Sequence, residues 1–206
     1  MECRRCIIRP DCGKEEAMDI GKFLEIMDLA ENLKNNPRHS WTSSGRRESV
    51  AEHSWRLTLM AYFVKDEFPE ADMDKVMKMC VFHDLGEVFT GDIPAFEKTE
   101  QDEKTESATI ENWLVTLPEP YQEELKALFQ EMVDLQTEEA KIYKALDKME
   151  ALIQHNEADI STWLPLEYDL QLTYGEKEVG FSDYMKQLRE AVNQVSKEKI
   201  KREGRL

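Results

Sequence analysis

Hydrophobic positions in this chain recur at three- and four-residue steps, the spacing of helices that each bury one face. Ile20, Phe23, Leu24, Met27, Ala30 and Leu33 predict an amphipathic helix over 19–35 that ends before Pro37. A polar loop is expected from Asn35 to Arg47. Ser49 and Glu52 then have the form of a capping box, and Trp55, Leu59, Met60, Phe63 and Val64 continue a second helix over 50–67. Asp72 is placed to cap a third, with Val76, Met79, Cys80 and Phe82 or His83 near its inward face, until Gly86 and the turn Thr90-Gly91-Asp92 break the pattern. Ile110, Trp113, Leu114 and Leu117 mark a fourth helix, stopped by Pro118 and Pro120, and Leu125, Leu128, Phe129 and Met132 a fifth. A sixth begins at Thr137 and carries Ile142, Leu146, Met149 and Ile153. Positions 159–180 show no regular pattern, and a last helix from about Phe181 carries Tyr184, Leu188, Ala191 and Val195. Trp55, Trp113, Met60 and Met79 fit core positions. The expected fold is all-α, a helical bundle over 19–196, with a mobile segment 1–18 before it and a basic, frayed tail 197–206 after it.

Composition agrees with helix: 206 residues contain only eight glycines and seven prolines. That length suits one domain with a substantial core. A net charge of −16 argues against a nucleic-acid partner, because such binding neutralises phosphates with clustered Lys and Arg. It leaves room for a small phosphorylated ligand, since a metal ion and one or two arginines reverse the field locally. Positions 31–50, with Lys34, Arg38, Arg46 and Arg47, are such a place. No apolar run is long enough to span a bilayer and the start has no apolar leader, so no membrane partner and a cytoplasmic location are expected. Cys80 reads as a buried thiol. Cys3 and Cys6 have chelating spacing but lack two further ligands, and with Cys12 they read as reduced residues of the N-terminal segment.

The chemistry concentrates at His83-Asp84, two metal-ligand side chains adjacent on an apolar segment. Burying such a pair without a cation is costly. His53 falls in the first turn of the second helix, and Asp147 lies beside the buried stripe of the sixth, so a His/His/Asp/Asp set can assemble between helices. That donor set suits one divalent ion, Mn, Co, Fe, Ni or Zn, with Mg possible, and leaves positions open for water and a phosphoryl oxygen. Glu87, three and four residues beyond the pair, is the candidate to activate the water, and Asp92 a second acid or base. Arg38 is the candidate to grip phosphate through its planar fork of donors. Singly, each of these has an ordinary reading as a surface charge, a helix cap or an ion-pair partner. Their joint order along the chain is what carries the metal site.

Pro37-Arg38-x-x-Trp41, Glu48-Ser49-Val50-Ala51-Glu52-His53-Ser54-Trp55-Arg56, His83-Asp84-Leu85-Gly86-Glu87 with Gly91-Asp92-Ile93, Glu139-Ala140, and Ala145-Leu146-Asp147-Lys148-Met149-Glu150 resemble the HD-domain phosphohydrolases, and within them the 5'-deoxynucleotidase branch. The resemblance spans about 20–160. It implies an all-α, often dimeric enzyme that hydrolyses deoxyribonucleoside 5'-monophosphates with a divalent metal, so a small-molecule nucleotide substrate and a homodimer are expected. It implies that His53, His83, Asp84 and Asp147 hold the metal, that Glu87 and Asp92 assist catalysis, and that Arg38 binds the substrate phosphate. Trp41 matches a tryptophan that recurs in the branch and is a candidate to contact substrate, with packing as its other reading. His39-Ser40 stands where the branch often has Thr-Gly. His39 and His155 fall outside the ligand set and read as structural or solvent-facing. Two other readings remain: hydrolysis of another phosphate ester, an alarmone or a cyclic nucleotide, and a regulatory protein of this fold without turnover. The alarmone hydrolases usually carry Glu-Asp after the His-Asp pair, whereas Glu87 is followed by Val88.

Overall fold

A computed structural model describes residues 18–204. Nine α-helices among them are joined by short turns and one small hairpin. Asp19 caps α1 (Ile20–Asn35) by accepting from the Lys22 amide at 3.1 Å. The expected polar loop is instead partly a hairpin: β1 (Pro37–Trp41) pairs antiparallel with β2 (Arg47–Ser49), Pro37 opposite Ser49 and Trp41 opposite Arg47. Gly45, at φ 80°, closes the turn between them, a conformation that costs glycine least. Ser49 ends β2 and starts α2 (Val50–Phe63) through the expected capping box with Glu52.

Asp72 caps α3 (Met73–Phe82) as expected, and α4 (Glu87–Thr90) is a single turn ended by Gly91. A second capping box, Thr99 with Asp102, opens α5 (Glu100–Leu114). Pro118 precedes α6 (Glu119–Asp134), and Thr137 caps α7 (Glu138–Glu157). The stretch without pattern contains α8 (Glu167–Thr173) and two 3-10 turns, elements too short to give a period. Ser182 caps α9 (Asp183–Arg202), which runs past the expected start of the tail and buries Ile200.

The core gathers around α7, whose Ile142, Leu146 and Met149 pack with Leu57 and Ala61 of α2, Val76, Met79 and Cys80 of α3, and Met185 and Val192 of α9. A smaller cluster of Leu33, Val50, Leu85 and Ile110 lies under α1, α4 and α5.

Two inward faces differ from those the pattern predicts. On α2 the buried stripe is Val50, His53, Ser54, Leu57 and Ala61, so Trp55 is 64% exposed and Phe63 77%. Its polar members, His53 and Ser54, hide the true stripe from a hydrophobic count. On α9 the stripe is Met185, Arg189, Val192, Ser196 and Ile200, one position out of step with the predicted one. Arg189 is held inside by donating to the carbonyls of Leu172 and Tyr174, at 2.8 and 3.1 Å. Cys3, Cys6 and Cys12 lie outside the described residues. No described helix is long and apolar enough to cross a membrane.

Candidate metal centre and active site

Three helices deliver the four candidate ligands. His53 projects from the first turn of α2 and is fully buried. His83 caps the C-terminus of α3, Asp84 follows it, and Asp147 sits mid-way along α7. His53 Nε2 lies 3.2 Å from His83 Nε2, 3.4 Å from Asp147 Oδ1 and 3.8 Å from Asp84 Oδ2. His83 Nε2 lies 3.0 Å from Asp84 Oδ2 and 3.9 Å from Asp147 Oδ1.

The outer nitrogens of both rings are already engaged. His53 Nδ1 pairs with the Glu150 carboxylate, and His83 Nδ1 lies 3.0 Å from the Cys80 carbonyl. Each ring is held from its outer side, which turns its Nε2 into the site. Once His53 Nε2 gives up its proton, two lone pairs and two carboxylate oxygens converge there. His53, His83 and Asp84 bring ligand atoms close enough together to fit a divalent cation, and Asp147 Oδ1 lies beside them, near both Nε2 atoms. Glu48, His53 and Glu150 also lie close together. Arg38 and Arg56 already neutralise that trio, and His53 offers it a protonated nitrogen, so a cation fits there poorly.

Neighbouring charges keep the acids ionised against their burial. Burial raises the Asp84 carboxyl, but His83, His53 and Arg38 hold it well below the usual carboxylate range. Burial likewise raises Asp147, and Lys148 and Lys144 outweigh it. Lys144 Nζ lies 3.1 Å from Asp147 Oδ2 and Lys148 Nζ 3.5 Å. Burial and Arg38 depress His53, yet the bonds to Glu150 and Asp147 hold it at about 9.

Arg38, on β1, places Nη1 3.3 Å from Asp84 Oδ2, with Nε 3.4 Å from Glu48 Oε2. Glu87 opens α4 with a buried Oε2 that has no hydrogen-bond partner. Burial, with Asp84 and Asp92 near, pushes Glu87 up to about 10. Burial and the Asp84 charge raise Asp92 also, while Arg38 opposes them. Asn36, between α1 and β1, fixes this segment: it donates to the Glu87 carbonyl at 3.1 Å and accepts from the Asp92 amide at 3.3 Å.

Seven of the eight predicted residues thus lie in contact with one another or within reach of one another's charge. Trp41 does not join them: its ring lies under the Arg47 guanidinium at 4.5 Å, and its carbonyl accepts from Gln154 at 2.6 Å. Sequence reasoning gave no role to Glu150, Asn36, Lys144 or Lys148. Glu150, three residues after Asp147, shares its helix face and interrupts an apolar stripe, a legible signal of a buried, partnered carboxylate. Asn36 carried none.

Between α5, α6 and α7 a cleft of about 780 Å³ reaches His83, Lys98 and Lys144. A smaller cavity of about 110 Å³ begins at Arg38 and Asp92.

Two histidines and two aspartates, a donor set that fits a divalent ion, meet between the helices of an all-α bundle, and this combination points to the class of the molecule. The sequence profile of the HD domain family matches residues 30–189, and the chain belongs to that family. It is 32% identical over 139 residues to the 5'-deoxynucleotidase HDDC2 of Bos taurus, covering 66% of this chain and 67% of that protein. It is 34% identical over 148 residues to the 5'-deoxynucleotidase hdd1 of Schizosaccharomyces pombe, covering 66% and 74%. A crystal structure described as a predicted metal-dependent phosphohydrolase from Magnetospirillum magnetotacticum superposes with a TM-score of 0.72 at 26% identity, covering 90% of this chain and 96% of the other.

Proposed function

We propose that this protein is a metal-dependent phosphomonoesterase that removes phosphate from deoxyribonucleoside 5'-monophosphates, the activity named for its bovine and fission-yeast relatives. The observation that carries the reading is the convergence of two imidazole Nε2 atoms and two ionised carboxylates beside Arg38 and the unpartnered Oε2 of Glu87.

His53, His83, Asp84 and Asp147 would hold the ion, and a divalent ion there would neutralise charge on the phosphoryl group and acidify the attacking water. Arg38 binds the phosphate and aligns it, its guanidinium steered by Asp84 and Glu48. Glu87 takes the proton from the attacking water once neutralisation of the surrounding negative charge lowers its proton affinity and leaves it ionised. Asp92, whose proton affinity is also raised, returns a proton to the departing 5'-oxygen. The same proposal places the protein in the cytoplasm, as a homodimer without a nucleic-acid partner. Large apolar side chains left open on α2, Trp55, Leu59 and Phe63, support an interface between copies.

The test is phosphate release by metal-stripped protein reloaded in turn with Mn, Co, Fe, Ni, Zn and Mg. The panel contains deoxyribo- and ribonucleoside monophosphates, an alarmone and a cyclic nucleotide. Release from deoxyribonucleotides, abolished in Asp84→Ala together with metal binding, is expected. No release from any monophosphate with any of the six ions overturns the proposal.

A further inference from the structure

The cavity that starts at Arg38 and Asp92 ends against α7 and α8, where apolar walls of Phe96, Leu152 and Leu170 surround a buried acid, Glu167. Glu167 Oε2 accepts from the Leu164 amide at 2.6 Å. Two histidines flank it: His39 Nε2 is 2.8 Å from Oε1, and His155 Nε2 is 3.6 Å from Oε2. Neither contact is an aligned hydrogen bond, and both Nε2 atoms are buried without a partner.

His155 is 7% exposed and cannot readily turn to improve its bond. Its ring stacks on Trp163 at 4.5 Å between centroids, and Trp163 is anchored by donating Nε1–H to the His155 carbonyl at 3.1 Å. Burial holds the imidazole neutral, at about 4. An orphaned buried donor costs about 1–3 kcal/mol, a cost that a bound acceptor would relieve. Here the two orphans share a cavity with Arg38. The larger cleft includes neither Arg38 nor Asp92.

We propose that this cavity is a nucleobase subsite in which the Glu167 carboxylate accepts the adjacent N1–H and N2–H donors of guanine while His155 donates to its O6. The inference rests on the nucleotidase reading, because Arg38 fixes the phosphate end of the substrate. Apolar walls suit the faces of a ring system, and a carboxylate beside an imidazole matches the donor–donor–acceptor edge that guanine alone presents to it. Adenine and cytosine offer one amino group there, and thymine a single ring N–H. Hydrogen bonds to a charged acceptor contribute about 1.5–3 kcal/mol each, so the preference is large enough to read kinetically.

The experiment compares dGMP, dAMP, dCMP, dTMP and 2-deoxyribose 5-phosphate, which has no base, on the metal-loaded wild type and on Glu167→Gln. The highest kcat/KM is expected for dGMP. In Glu167→Gln the KM for dGMP rises about 10- to 100-fold with little change in kcat, so the advantage of dGMP over the baseless sugar phosphate shrinks by the same factor. Equal kcat/KM for dGMP and 2-deoxyribose 5-phosphate in the wild type overturns the subsite and leaves the phosphatase reading standing. Equal losses on all five substrates in Glu167→Gln also overturn it. If none of the five is hydrolysed, the nucleotidase reading fails by itself, and binding of deoxyguanosine followed by saturation-transfer NMR decides the subsite. A signal lost in Glu167→Gln supports it, and no signal in the wild type overturns it.

Discussion

Replacing Glu150 by Gln changes charge but hardly shape, and it strikes the group on which His53 depends. Glu150 is fully buried, pairs with His53 Nδ1 and accepts from Arg56 Nε at 2.6 Å. An amide offers one acceptor to two donors, so one of them faces an N–H. Breaking a buried, hydrogen-bonded charge pair from one side costs about 3–5 kcal/mol, a shift readily seen in urea denaturation of metal-free protein. The effect on metal binding has two opposed parts. His53 at about 9 carries a proton at pH 7, which an incoming ion must displace, a handicap of about 100-fold that vanishes near pH 9. Wild-type affinity therefore rises about tenfold per pH unit between 7 and 9. In Glu150→Gln burial and Arg38 pull His53 down, so the slope flattens; lost orientation of the ring costs about 10- to 100-fold in affinity at pH 9. Calorimetric titration with Mn or Zn at several pH values, in buffers of differing ionisation enthalpy to count released protons, measures both. Equal slopes for the two proteins, or affinities within twofold at pH 9, would refute the reasoning.

Three further outcomes are expected. Leu146→Ala empties a fully buried position of α7 and lowers stability by about 2–5 kcal/mol, read from the urea midpoint. Gly91→Ala forces a side chain onto φ 78°, ψ 162°, a region almost confined to glycine; it costs about 1–3 kcal/mol and disturbs Asp92, so kcat falls more than metal affinity does. Metal-free protein loses stability as pH rises from 5 to 9: Glu87 at about 10, Glu48 at about 7 and His53 at about 9 all keep protons in the fold that the unfolded chain releases earlier. Melts in chelator should show a falling Tm across that window, and a flat or rising Tm contradicts the site's electrostatics.

Helix starts were the most legible part of the fold, because a cap is a local event: Ser49 with Glu52, Asp72 and Thr137 each do what their side chains suggest. Helix faces were less so. On α2 and α9 the inward stripe contains His53, Ser54, Arg189 and Ser196, whose burial depends on partners far away in sequence. The hairpin escaped because three- and five-residue strands are too short for a period of two to stand out. His53, His83, Asp84 and Asp147 were legible as ligand types at helical positions, and the structure brings them to one point. Asn36 was not, since its work is to join two backbone groups more than 50 residues away, Glu87 and Asp92.

The distribution of the four candidate ligands also bears on how the protein is made. His53, His83 and Asp84 leave the ribosome first, and Asp147 follows about 60 residues later, an interval of about 3–12 s at ordinary rates of synthesis. During that interval the growing chain contains three of the four candidate ligands and lacks α7. Only when α7 docks on α2 and α3 does the core close, and the same helix brings Asp147 and Glu150. Capture of an ion by these residues would thereby be tied to completion of the fold, since a truncated chain that ends before α7 lacks both the main core and Asp147.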